Sequence, residues 1–124
     1  MANEITVLFS MSATKNGITI ARNPGAVQID WAGGTYVAQT ASIGTSYEAL
    51  PAAADLGDSG LMWIYNAGSA SVAISFDGGT TDHLVIGAGE FQFLRLATAI
   101  APEDVEMKSL GEAAVTIEYV ILSA

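Results

Sequence analysis

The chain has 124 residues, a formal net charge of −9 from 13 acidic against four basic side chains, and no cysteine. That length makes one domain and excludes a bipartite enzyme, and four scattered cations (Lys15, Arg22, Arg95 and Lys108) exclude a nucleic-acid binder that grips phosphate through clustered Lys and Arg. The lack of cysteine rules out a disulfide framework and a thiolate metal site, and leaves the redox compartment open.

Met1-Ala-Asn-Glu-Ile5 has neither the basic n-region nor the continuous apolar h-region of a signal peptide, so export by that route is not expected. Ile5, Val7, Phe9 and Met11 then share one face, with Thr6, Ser10 and Ser12 on the other beside Leu8, the two-residue period of a half-buried strand. Asn16-Gly17 suits the positive φ angles of a type I′ turn, and Ile18-Thr-Ile-Ala21 resumes the alternation, which predicts a first hairpin. After a turn at Asn23-Pro24-Gly25, Val27, Ile29 and Trp31 alternate with Gln28 and Asp30. Gly33-Gly34 reverses the chain into residues 35–40 and predicts a second hairpin.

From Ile43 the texture changes. Thr45 and Glu48 match a capping box, so a helical turn is expected there, kept short by Pro51 within a crossing connection. Leu61-Met-Trp-Ile-Tyr65 has no strongly polar residue on either face, as in a central strand covered on both sides. The uncharged span 59–76 has Asn66-Ala-Gly-Ser-Ala-Ser71 at its middle, a turn composition that predicts a hairpin and argues against a membrane helix. Strands are expected at 71–76, 82–86 and 91–96; within the last, the apolar phase slips between Phe93 and Leu94, which predicts a bulge or a bend between sheets. Residues 102–109 read as a further strand and 114–122 as the closing one. About nine strands with short turns and at most one short helical turn predict an all-β fold, an antiparallel β-sandwich in a single domain over 1–124.

Candidate chemistry is sparse. Gly57-Asp58-Ser59-Gly60 matches the nucleophile segment of chymotrypsin-like proteases, yet the chain's one histidine, His83, follows the serine where that arrangement places it before, and the chain is too short for the double barrel. Asp77-Gly-Gly-Thr-Thr-Asp82-His83 gathers two carboxylates and an imidazole, fewer ligands than a calcium or zinc site requires, and reads as a solvated hairpin tip. Glu90, Glu103, Asp104 and Glu106 have no partner that would tune one as acid and another as base. Gly87-Ala-Gly89 leads into a strand, where phosphate loops open a helix. Trp31, Trp63 and the four tyrosines are residue types that stack on sugars, but at alternating strand positions they more often serve core or interface. No catalytic, cofactor-binding or metal-binding residue is assigned, and no enzyme activity or cofactor is expected.

Hydrophobic residues make up 51% of the chain and charged residues 14%, against about 25% charged in ordinary soluble domains. A small domain has a high surface-to-volume ratio and little room to hide that much apolar area, so cover by neighbouring protein is expected, as in a homo-oligomer or larger assembly. The acidity itself serves solubility, and in a particle that packages nucleic acid it would suit the outer face.

Several segments together resemble small virion structural proteins of tailed bacteriophages: Asn23-Pro-Gly25, Ile43-Gly-Thr-Ser-Tyr-Glu-Ala-Leu50, Leu61-Met-Trp-Ile-Tyr-Asn66, Val72-Ala-Ile-Ser-Phe-Asp-Gly78, Gly87-Ala-Gly-Glu-Phe91 and 115–122. The resemblance spans nearly the whole chain. It implies a jelly-roll-like sandwich on the virion, first of all a capsid decoration or cement protein on the outer surface of the head. The partners implied are the major capsid protein or other virion proteins and further copies of itself, with no nucleic acid or membrane and no catalytic residue. Similar sandwiches serve in tail fibres and baseplates, so an adhesion or carbohydrate-binding module is the alternative.

Overall fold

The computed structural model describes residues 4–57, 59–97 and 99–123, with Ser59 described by its backbone. It divides into two compact units, Met1–Ala32 and Gly33–Ala124. Every strand pairing is antiparallel, as the alternation predicts. Among the described residues there are twelve strands and two 3-10 turns, where the sequence predicts about nine strands and one helical turn at most.

In the first unit the 5–12 stretch splits into β1 (Ile5–Leu8) and β2 (Met11–Lys15). β2 pairs with β3 (Ile18–Arg22) across Asn16-Gly17, whose φ angles of 53° and 79° give the expected I′ geometry. β1 pairs with β4 (Ala26–Ile29), Ile5 opposite Ile29 and Leu8 opposite Ala26. Between the two ladders the chain spends residues 9–10 on one side and 23–25 on the other, so the register slips by one. Gly25 makes this possible at φ 82°, its N–H donating to Asn23 Oδ1 at 2.9 Å. The predicted hairpin of 27–31 with 35–40 does not form: β4 ends at Ile29 on β1, and the later strand aligns with the closing strand instead.

The second unit holds β5 (Tyr36–Ile43), β6 (Glu48–Ala49), β7 (Ser59–Asn66), β8 (Val72–Ser75), β9 (Leu84–Ile86), β10 (Phe91–Arg95), β11 (Glu106–Ser109) and β12 (Val115–Ser123). They form two four-stranded sheets in the orders β10-β7-β12-β5 and β6-β11-β8-β9. Counting these eight strands from first to last, the orders are 6-3-8-1 and 2-7-4-5, the two interlocked Greek keys of a jelly roll. The core lies between the layers. Met62, Ile64, Ile117, Tyr119 and Ile121 of one sheet meet Val72, Ile74, Ile86 and Met107 of the other, all at most 1% exposed. Tyr119 ties the crossing connection down: its hydroxyl donates to the Pro51 carbonyl at 2.6 Å and accepts from Gln39 Nε2 at 2.6 Å.

Several local expectations change in this setting. Residues 61–76 are a corner between sheets and not a hairpin, because Asn66 is fully buried and turns the chain: its Nδ2 donates to the Ala70 and Ile86 carbonyls at 2.8 and 3.1 Å, and its Oδ1 accepts the Gly68 N–H at 2.9 Å. Gly68 has no substitute here, since a Cβ would lie 2.2 Å from Val115 Cγ1. No helical turn starts at Thr45. Glu48 sits in β6 and accepts the Gly44 N–H at 3.2 Å, and the first 3-10 turn comes later, at Ala53–Leu56. The expected strand 102–109 opens as a second 3-10 turn, Pro102–Asp104, where proline presets φ and the Asp104 and Val105 N–H groups bond back to the Ala101 and Pro102 carbonyls.

Candidate functional site

The Asp77–His83 turn joins β8 to β9 as a hairpin, with Gly78 and Gly79 at φ 71° and 88°. Its polar groups satisfy one another. Asp77 Oδ1 accepts from Ser75 Oγ at 2.6 Å and from the backbone N–H groups of Thr80 and Thr81 at 3.1 and 3.0 Å. The Ser75 hydroxyl first, then those amides, hold the Asp77 carboxyl well below the ordinary carboxylate range. His83 Nδ1 accepts the Phe76 N–H at 3.1 Å. Asp82 accepts from the Tyr47 hydroxyl and lies 3.6 Å from Lys108 Nζ, which sits 4.6 Å from the centre of the Tyr47 ring. Burial, then the bond to Asp82, pushes the Tyr47 hydroxyl up to about 12. These contacts build a structural knot, and among the described residues no cluster of three or more His, Asp or Glu side chains is placed to hold a metal ion.

The other candidates disperse in the same way. Asp58 and the Ser59 side chain lie outside the described residues. Glu90 closes the turn before β10 by accepting the Gly87 N–H at 2.7 Å, and a Cβ on Gly87 would strike that carboxylate at 2.8 Å. Glu103 and Asp104 sit in the second 3-10 turn, and Glu106 opens β11. Trp31 lies past the end of β4, with its backbone N–H donating to Glu4 Oε2 at 3.1 Å.

What does gather aromatic side chains is the outward face of the β10-β7-β12-β5 sheet. Antiparallel sheets commonly turn a polar face to water. Here the cross-strand rows read Phe93–Trp63–Val120–Ala38, Phe91–Tyr65–Glu118–Thr40 and Arg95–Leu61–Leu122–Tyr36. The Trp63 and Tyr65 rings are stacked 10° from parallel with centroids 6.1 Å apart, and Phe91 and Phe93 remain 48% and 38% exposed. Val120, Trp63, Ala38 and Thr40 line a shallow groove with Gln39 and Glu118. The opposite sheet differs: its outward rows place Lys108 and Val85 beside Ala73, and Glu106 beside Ser75.

Two sequence features now take on their meaning. The phase slip at Phe93-Leu94 makes no bulge, since β10 and β7 stay in one register from Phe91↔Tyr65 to Arg95↔Leu61. Gln92 and Leu94 turn inward while Phe91 and Phe93 turn out, so apolar groups on both faces produced the apparent slip. Likewise β7 is interior to its sheet: Met62 and Ile64 are fully buried on its inner face, and on its outer face Leu61 is buried while Trp63 and Tyr65 are part-exposed. Trp63 was the aromatic to single out, and its signal was the lack of any polar position in 61–65. Comparisons with family models, curated proteins and solved structures find no match to this chain. The fold and this surface therefore define the class: a jelly-roll sandwich carrying an aromatic outer sheet face.

Proposed function

We propose that the protein is a structural component of a tailed-phage virion, a decoration or cement protein that acts by adhesion to the outer capsid surface and catalyses no reaction. The observation that carries the adhesive role is the aromatic outer sheet face, where exposed Phe91 and Phe93 lie beside part-exposed Trp63, Tyr65 and Val120, residue types that mark protein contacts. The phage assignment rests on the sequence resemblance, and the jelly roll is compatible with it. A repeated shell offers many equivalent sites, so modest affinity per copy suffices to stabilise the particle through mass action.

Mass spectrometry of gradient-purified particles tests the location, with the expectation of many copies per particle; absence from intact virions overturns it. Trp63→Ala with Phe93→Ser is expected to lower occupancy on particles while leaving the far-UV spectrum of the sandwich unchanged. A second reading has its own observation: Thr40 and Glu118 beside Trp63 put hydrogen-bonding groups next to an aromatic ring, as a carbohydrate-binding face requires. Glycan-array binding that Trp63→Ala abolishes would favour that reading.

A further inference from the structure

The β2–β3 hairpin is amphipathic in an unusual sense. One face carries Met11, Ala13, Ile18 and Ile20, flanked by Lys15 opposite Ile18 and Arg22 opposite Met11; the other carries Ser12, Thr14, Thr19 and Ala21, with the Thr14 and Thr19 hydroxyls 3.1 Å apart. Its apolar face is open to solvent, Ile18 at 65% and Ile20 at 47% exposure. A two-stranded ladder with its apolar side in water is marginal at best, because it lacks a third layer to bury against. The sandwich unit has the converse problem, an aromatic sheet face whose middle row, Phe93–Trp63–Val120–Ala38, carries no charge, with Glu118 in one flanking row and Arg95 in the other.

We infer that the apolar face of this hairpin packs on the outer face of the β10-β7-β12-β5 sheet of a second copy of the chain. The inference deepens the assembly role proposed above and rests on it. Charge argues for this occupant. Residues 1–32 set Glu4 and Asp30 against Lys15 and Arg22 and are neutral, so the whole net charge of −9 rests on residues 33–124. The hairpin's two cations lie on its apolar face, the sign that an acidic sandwich attracts and that a second hairpin would repel.

Size argues for it too. Five-residue strands run about 17 Å, and a four-stranded sheet with strands about 4.8 Å apart spans a similar width. One such contact buries on the order of 600 Å² counting both surfaces, short of the roughly 1,200 Å² where stable interfaces begin, and reciprocal exchange of two hairpins reaches that class. Reciprocity is also what a two-fold dimer imposes, since each surface then meets its complement twice.

The absence of cysteine makes the test direct. Full-length Ile20→Cys and Val120→Cys proteins, differently tagged and co-expressed, are treated with a short bis-maleimide; only a contact between copies joins the two tags. The yield is expected to exceed by about tenfold or more that of Thr19→Cys with Val120→Cys, on the hairpin's polar face, and of Ile20→Cys with Val85→Cys, on the other sheet. Circular dichroism of each variant confirms the sandwich first. Equal yields across the three pairs, or a monomer by light scattering of the unsubstituted protein at micromolar concentration, overturn the inference. Either outcome leaves the virion reading standing, because that is decided by the particle experiment.

Discussion

The two units use the same local code and come to opposite ends. Residues 5–29 alternate as cleanly as residues 115–123, and both form antiparallel ladders. Yet β12 buries Val115, Ile117, Tyr119 and Ile121, while every residue of β2 and β3 is exposed. A strand's pattern states which side chains share a face. Whether that face is buried depends on a third partner: β12 has two flanking strands and an opposing sheet, whereas β2 and β3 have each other. Shortage of partners, and not of propensity, separates the buried strand from the exposed hairpin.

The largest expected effect breaks the comparison at its strongest point. Ile117→Ala empties a fully buried site between the sheets and is expected to cost about 3–4 kcal/mol in urea unfolding. Ile20→Ala, the same substitution on the hairpin, is expected to stay within about 0.5 kcal/mol when measured dilute enough to keep copies apart. Equal losses would mean that the hairpin belongs to the same core.

Asn66→Ala ranks next, at about 3 kcal/mol in the same assay, because it strands two carbonyls and an N–H in the corner between sheets. A loss below about 1 kcal/mol would show that the corner is held otherwise.

How much of this was legible follows the same division. Strand positions, the Asn16-Gly17 and Gly78-Gly79 turns and the all-β class were readable because alternation and positive-φ glycines act locally. Pairing was less so. The Gly33-Gly34 reversal looked like a hairpin, but β5 gains an eight-residue ladder on β12, a partner about eighty residues away that no local signal marks. Asn66 looked like turn punctuation and is instead a buried bracket, since an asparagine's role depends on which carbonyls the folded chain brings to it. Of the surface, the evenly apolar 61–65 run carried the information and was read as two-sided burial. The structure buries the inner side fully and leaves Trp63 and Tyr65 part-exposed on the outer one.

The turns extend the comparison at smaller scale. Gly17→Ala forces a methyl group onto a residue at φ 79° and is expected to cost the hairpin about 1 kcal/mol. Amide exchange at residues 11–22 is expected to quicken severalfold, with the sandwich amides unchanged. Exchange that quickens across both units alike would show that they open together.

The smallest effect concerns the sandwich's own turn, where a charge does the work that backbone geometry does at Asn16-Gly17. Asp77 is ionised far below the usual range because Ser75 and the amides of Thr80 and Thr81 donate to it in the folded chain. A carboxyl with a depressed folded value adds stability above its unfolded value, near 4, and loses that contribution as pH falls toward the folded one. Asp77→Asn is therefore expected to be slightly less stable than the parent at neutral pH, with the gap closing on acidification below about pH 4. Paired thermal melts across that range read the difference directly. A gap that widens as pH falls would mean that the carboxylate is an unfavourable charge in the folded turn, and that the loop is shaped by its two glycines, as the hairpin's turn is by Asn16 and Gly17.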